Sequence, residues 1–413
     1  MEKKSKIKGG LLVLLAGTCI NLTLGVLYSW SVIKKALVHD WAWSNSAASM
    51  PYTVAIVVFA IALLVAGRMQ DKMGPKKIVM AGVVLTGLGL MASSFFTAPM
   101  MLIITFGIIS GTGIGFGYSC VTPAVMKWFH PSQKGTVTGI VVGGFGVASI
   151  YIAPTTTWLL NSFGISRTFF MLGLFILAVG LPMSLLINNP PAGYVPAEPA
   201  QKAGRPTVAK PVGRNFEWTE MVRTPQFYTL WVMFALASSA GLMIIGNIAS
   251  IAKQQAAFEN GFVFVALLAI FNAGGRIGGG IVSDKIGRIR TMQIVFALQG
   301  VNMLLFASYN TFFLVALGTA LGGIGYGALL SLFPSTVSDY YGMKNFGTNY
   351  GVLYTAWGIA GAIGPVIAGW VVDATGTYTL AYTISAALMA VTLALTFVTK
   401  PVKAEEPAQA ELA

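Results

Sequence analysis

An all-α membrane protein of twelve transmembrane helices, in two bundles of six, is the fold class this sequence predicts. Of its 413 residues, 55% are hydrophobic and only 9% are charged. Apolar runs long enough to span a bilayer recur along the whole chain, and the second half repeats patterns of the first. A soluble domain carries about a quarter charged residues, so this much apolar surface calls for lipid as its solvent.

About 20 apolar residues cross the hydrocarbon core as a helix. Such runs fall near 9–35, 46–67, 77–97, 99–126, 135–161 and 167–187, and again near 226–251, 260–283, 291–308, 311–337, 347–372 and 379–399. The first follows Lys3, Lys4, Lys6 and Lys8 but is too long for the apolar region of a signal peptide, and no convincing cleavage site follows it. It is read as a retained span. Between the sets, 188–225 opens on Asn188-Asn189-Pro190-Pro191 and carries Lys202, Arg205, Lys210, Arg214 and Arg223, which reads as a linker. The expected division is a bundle over 1–187, a linker over 188–225, a second bundle over 226–399 and a tail over 400–413.

Charge placement orients this arrangement. The net charge of +13 comes from 26 Lys and Arg residues, of which 21 fall on the side of the termini and linker. The opposite side holds four, Lys34, Lys35, Arg167 and Lys253, and the remaining one is Arg276. The positive-inside rule then puts both termini and the linker in the cytoplasm, with the chain multi-pass in the inner (cytoplasmic) membrane. The basic balance is thus a topology signal, and no nucleic-acid partner is expected.

Enzyme chemistry finds little to work with. Cys19 and Cys120 are the only cysteines and His39 and His130 the only histidines, all in or near the ends of apolar runs. Two isolated thiols make no disulfide framework, and no metal cluster or His-based triad can be assembled. Neither a cofactor nor a metal is expected. The Gly-x-Gly strings follow no alternating strand pattern, which argues against a nucleotide site.

The halves repeat in register. Gly67-Arg68-Met69-Gln70-Asp71-Lys72-Met73-Gly74-Pro75-Lys76-Lys77 matches Gly280-Ile281-Val282-Ser283-Asp284-Lys285-Ile286-Gly287-Arg288-Ile289-Arg290 at an offset of 213. Gly115-Phe116-Gly117 matches Gly325-Tyr326-Gly327, and Gly135-Thr136 with Gly139 matches Gly347-Thr348 with Gly351. Three matches at nearly one offset indicate a duplicated six-span unit, an architecture of carriers with the substrate site between the halves. A channel or structural protein has no need of the duplicated loops.

The Gly-x-x-x-Asp-Lys-x-Gly loop in both halves resembles the signature loop of the major facilitator superfamily. Gly25-Val26-Leu27-Tyr28-Ser29-Trp30, Arg223-Thr224-Pro225-Gln226-Phe227 and Phe333-Pro334-Ser335-Thr336 with Ser338-Asp339 resemble its oxalate/formate antiporter and monocarboxylate transporter branch. The resemblance covers essentially the whole chain and implies a major facilitator fold. In the loops, Asp71 and Asp284 are expected to gate, each capping a helix N-terminus or pairing with an arginine to hold one side shut.

Arg276 is the sharpest single feature. It sits eight residues before Asp284, about 12 Å inside the cytoplasmic end of its span at 1.5 Å per residue. A guanidinium at that depth costs several kcal/mol unless paired or hydrated, and it cannot deprotonate. No Asp or Glu lies deep in any span, so its partner can be a substrate carboxylate, held bidentately. Snorkelling or bonding to backbone carbonyls is the alternative. The resemblance adds that relatives carry a substrate arginine here. Asn272, at i−4, shares its helix face and can orient the guanidinium or the substrate, or tie two helices together. Tyr118, Tyr326 and Tyr382 are the favoured hydroxyls, with Tyr28 and Tyr354 as further candidates and Leu27, Phe145 and Trp357 as apolar walls. The glycine ladders Gly139, Gly143, Gly146 and Gly358, Gly361, Gly364 read as close-packing surfaces.

One departure from the resembled branch bears on substrate. Oxalate-type members carry a lysine a few residues after Asn-Tyr-Gly in the eleventh span; here Asn349-Tyr350-Gly351 leads to Trp357 at that place. One cation suits one carboxylate. The sequence therefore points to a carrier, acting as a single chain, of small monocarboxylates such as lactate or pyruvate. Proton symport is the expected coupling and organic anion exchange the alternative.

Overall fold

The structure is a computed structural model that describes residues 2–196, 214–258 and 261–402. The linker charges Lys202, Arg205 and Lys210, and Lys403 of the tail, lie outside the described residues. All regular structure among the described residues is helical. The first half comprises α1 (Glu2–Leu24), a 3₁₀ turn Gly25–Ser29, α2 (Trp30–Asp40), α3 (Asn45–Met73), α4 (Pro75–Ser93), α5 (Pro99–Leu102), a π-helical stretch Ile103–Ser110, α6 (Gly111–Met126), a second 3₁₀ turn Pro131–Gln133 and α7 (Lys134–Leu186). After the linker come α8 (Trp218–Met221), α9 (Pro225–Ala256), α10 (Phe262–Ile286), α11 (Arg288–Phe306), α12 (Phe312–Tyr341), α13 (Phe346–Thr375) and α14 (Thr379–Val398).

Ten helices or helix runs among the described residues are long and apolar enough to cross a membrane. One of them, holding α7, covers two expected spans, because Gly164 breaks the helix at φ 75°, ψ 176°. With α13 the twelve expected crossings are present, as two bundles of six. The sequence reading separated the fifth and sixth spans at 162–166, which brackets that kink. It missed the break inside the first span, where Gly25 lies so close to α7 that an added Cβ would collide with Ala148 and the Phe145 carbonyl.

The repeated loops are built alike. Gly74 and Gly287 each end one helix and start the next, at φ 82°, ψ 164° and φ 95°, ψ 157°. This is a backbone region open in practice only to glycine, which explains the last residue of the repeated string. Its first glycine serves contact between halves. Gly280 of α10 presses on the Gly135 carbonyl of α7, and Gly67 of α3 on the Gly347 carbonyl of α13, with no room for a Cβ at either. Gly280→Val is therefore expected to force α7 and α10 apart. A spin-label distance between Lys77→Cys and Lys344→Cys, in a chain lacking Cys19 and Cys120, should gain a longer population; an unchanged distance would show that this contact does not hold the halves together.

The linker is partly woven into the second bundle. Phe216 accepts from Asn345 and Asn349 through its carbonyl, both at 3.0 Å, and its N–H donates to the Tyr341 carbonyl. Thr224, in the string Arg223–Phe227, caps α9 by accepting from the Phe227 N–H and shares a 2.9 Å hydrogen bond with Tyr341.

Candidate functional site

A cavity of about 180 Å³ lies between the two bundles. Its lining on α3 (Tyr52, Ile56, Phe59) and α9 (Ile245, Ile248) lies in the halves of those helices away from the linker, while Arg276 of α10 sits at its inner end. Arg276 is 1% exposed and is the one charged side chain among the described lining residues. Its Nη1 donates to the Val142 carbonyl of α7 at 2.8 Å and its Nε to Asn272 Oδ1 at 3.2 Å. No carboxylate of the described residues pairs with it.

Two sequence-level readings are thus present together. The guanidinium does use a backbone carbonyl, and it faces a cavity with its charge uncompensated. The glycine ladder explains how the carbonyl is reached: an added Cβ on Gly139 would strike the Arg276 backbone, and one on Gly146 would crowd Arg276 Nε at 3.1 Å. Larger residues on α7 would hold the arginine off.

Of the residues singled out in the sequence, Arg276, Asn272, Tyr118, Tyr326, Leu27, Phe145 and Trp357 all line this cavity, as do the further candidates Tyr28 and Tyr354. The Trp357 indole N–H donates to the Tyr326 hydroxyl at 2.7 Å, which holds both rings on one wall. Edge-on packing of Tyr118 on Phe145, with centroids 5.1 Å apart, builds the opposite wall. Phe59 bridges toward the second bundle, 6.2 Å from Trp357 and 6.3 Å from Tyr354. Such rings bring large apolar faces and a few hydroxyls, a lining suited to a small amphipathic anion.

Tyr382, the remaining candidate, is not among the residues that line this cavity. It stacks on Phe306 at 5.0 Å and donates to Gln255 Oε1 at 3.0 Å, away from the cavity. Its helix α14 packs on α11 and α9 at the outside of the bundle, so its hydroxyl serves helix packing. Tyr52 and Phe59 were missed; both lie in an unbroken apolar stretch whose inward face leaves no mark in one sequence.

The two loop aspartates occupy equivalent places. Asp71 accepts the N–H groups of Gly347 and Thr348 at 3.2 and 2.8 Å and the Thr348 hydroxyl at 3.0 Å, at the start of α13. Asp284 accepts from Gly135 N–H at 2.8 Å and from Thr136 N–H and hydroxyl, both at 2.6 Å, at the start of α7. Each carboxylate satisfies unpaired N–H groups at the positive end of a helix dipole in the opposite half. The linker side is shut in this structure.

The two are not equal in strength. Asp284 also pairs with Arg288 at 2.6 Å, and Arg288 holds Asp339 at 2.9 Å, which Lys134 approaches at 3.5 Å. Asp71 has Pro75 where Asp284 has Arg288, and the side-chain amide of its neighbour Gln70 is buried with no hydrogen-bond partner. Lys127, just beyond α6, is pushed below the ordinary lysine value by burial and pulled back by the Asp71 charge. Asp339 escaped the sequence reading, although it stands in one of the strings that carried the resemblance.

Comparison with known proteins bears on the family and the fold. The Major Facilitator Superfamily profile matches residues 11–308 and 261–412. An uncharacterized MFS-type transporter of Escherichia coli (strain K12), YhjX, is 33% identical over 352 residues, 84% of each chain. The oxalate:formate antiporter of Oxalobacter formigenes is 28% identical, covering 87% of this chain and 85% of that one. Monocarboxylate transporter 13 of Rattus norvegicus is 24% identical over 92% and 86%. A crystal structure of the E. coli fucose:proton symporter FucP superposes with a TM-score of 0.73 at 13% identity, over 95% of this chain and all of that one. These relatives and neighbours are transporters, not enzymes, and this chain belongs to the major facilitator superfamily.

Proposed function

We propose that the chain is a secondary active transporter of small monocarboxylates of the lactate and pyruvate class, working by alternating access. The observation that carries this reading is Arg276 as the one charged group among the described lining of an aromatic cavity of about 180 Å³. A single guanidinium neutralises a single carboxylate. A second carboxylate would enter an apolar cavity unpaired, at a cost of several kcal/mol. Trp357 supports the same conclusion, since it closes the wall where oxalate-type relatives carry a lysine and its indole N–H is engaged by Tyr326.

Proton symport is the coupling proposed. Among the described lining residues there is no carboxylate or histidine to carry a proton. The proton therefore travels with the substrate, shared between its carboxylate and a neighbouring tyrosine or water. The same observation supports exchange as the second reading, because an empty carrier must reorient with Arg276 uncompensated. Both readings place the termini and linker in the cytoplasm of the inner membrane, on the strength of the lysine and arginine distribution. The cavity is complete within one chain, which supports function as a monomer.

Uptake into proteoliposomes tests this. Lactate-sized monoanions should enter saturably, and oxalate should compete at least tenfold more weakly, about 1.4 kcal/mol of discrimination. With symport, an inward proton gradient drives lactate accumulation and a membrane potential alone does not. With exchange, uptake requires an internal counter-anion and responds little to pH. Oxalate transport equal to or faster than lactate would overturn the monocarboxylate assignment.

A further inference from the structure

We propose that the groove between α3, α8 and α13, at the linker-side end of the seam between the halves, binds an anionic phospholipid. Its phosphate sits on Arg68 and Lys72, and an acyl chain lies along Leu64 and Val352. The groove has a volume of about 500 Å³, and Arg68, Lys72 and Thr348 are its polar lining residues besides the Trp218 indole. Arg68 and Lys72 are four residues apart and so present both cations on one helix face. Both are exposed, and among the described residues neither makes a hydrogen bond or ion pair.

Among the described residues, the nearby carboxylates are spent elsewhere. Glu217 and Glu220 form the capping box of α8, and Glu220 also holds Arg214. Asp71 is committed to the start of α13. The groove is thus a basic pair above an apolar trough, and it opens sideways through exposed Val65, Met73 and Trp218. A tryptophan at that level suits the boundary between headgroups and acyl chains. A freely soluble anion would gain from the cations but leave the trough unfilled. A phospholipid fills both.

The duplication supplies an internal comparison. The repeat places Lys285 opposite Lys72 but Ile281 opposite Arg68, so the paired cations belong to the first half alone. The site also spans both halves, since Leu64 belongs to α3 and Val352 to α13. Its walls meet while Asp71 caps α13 and part when that contact breaks. A lipid seated here favours the state closed on the linker side.

Native mass spectrometry of the purified full chain, equilibrated with equal phosphatidylglycerol and phosphatidylcholine, tests the site. The wild-type chain should retain phosphatidylglycerol preferentially, and Arg68→Gln with Lys72→Gln should weaken that preference on the order of tenfold. Lys285→Gln, the matched charge removal in the second half, should leave it intact. Trp218→Ala should reduce retention of both lipids while preserving the preference. An unchanged thermal unfolding midpoint in each variant confirms that the fold survives. Equal retention of the two lipids by the wild-type chain, or an equal loss in Lys285→Gln, would overturn the proposal. So would displacement of the bound lipid by inorganic phosphate alone, which would make this a site for soluble anions.

Discussion

Replacing Arg276 by lysine is expected to lower substrate transport by ten- to a hundredfold although the charge is kept. The arginine already uses Nη1 on the Val142 carbonyl and Nε on Asn272, which leaves the rest of its planar fork for a carboxylate. A lysine ammonium is a point donor on a flexible stem and cannot hold α7, Asn272 and a carboxylate in fixed directions together. A hydrogen bond to a charged group is worth about 1.5–3 kcal/mol, which sets the size of the expected loss. Arg276→Ala should lose more, since no other charged group among the described lining residues can replace it. Asn272→Ala should cost only severalfold, because the guanidinium keeps its charge and its tie to α7. Initial lactate rates in proteoliposomes, normalised to folded protein by gel filtration, measure all three. A lysine variant at the wild-type rate would remove Arg276 from substrate binding.

How far the sequence reached depends on the signal each residue leaves. Arg276 stood out because a charge deep in an apolar run is costly, and Asp71 and Asp284 because one unusual string occurs twice. The bundle architecture followed from apolar run length and the same duplication. Tyr118, Tyr326 and Trp357 were found through their place beside glycine-rich or family-like strings, and they do line the cavity. Tyr382 does not line the cavity, because a tyrosine within a span needs a hydrogen-bond partner but says nothing of where that partner lies; here it is Gln255. Phe59 and Tyr52 could not be found, since membrane helices are apolar all round and lipid-facing and cavity-facing residues look alike. The break at Gly25 was hidden for a related reason. Its cause is Ala148, more than a hundred positions away.

Neutralising Asp284 should open the linker side much more than neutralising Asp71, although the two residues are equivalent in the repeat. Both carboxylates cap the first N–H groups of a helix in the other half, and an asparagine retains part of that capping ability. What Asp71→Asn loses is chiefly the charge on the α13 dipole, about 0.3–1 kcal/mol and at most roughly 2. Asp284→Asn loses the same on α7 and also a buried ion pair, for Arg288 is 7% and Asp284 8% exposed at the side chain. Breaking a buried pair by removing one member costs about 3–5 kcal/mol when the remaining charge is stranded. Arg288 keeps Asp339, so the lower part of that range applies. The closed state should lose severalfold of its population in Asp71→Asn and on the order of a hundredfold in Asp284→Asn. Spin-label distances between Lys77→Cys and Lys344→Cys report the populations directly. Arg288→Gln should resemble Asp284→Asn, because it removes the cation that Asp284 and Asp339 share in the closed state and leaves a basic partner, Lys134, to Asp339 alone. Equal shifts from Asp71→Asn and Asp284→Asn would mean that the helix caps alone hold the gate and that the Arg288 network adds nothing to it.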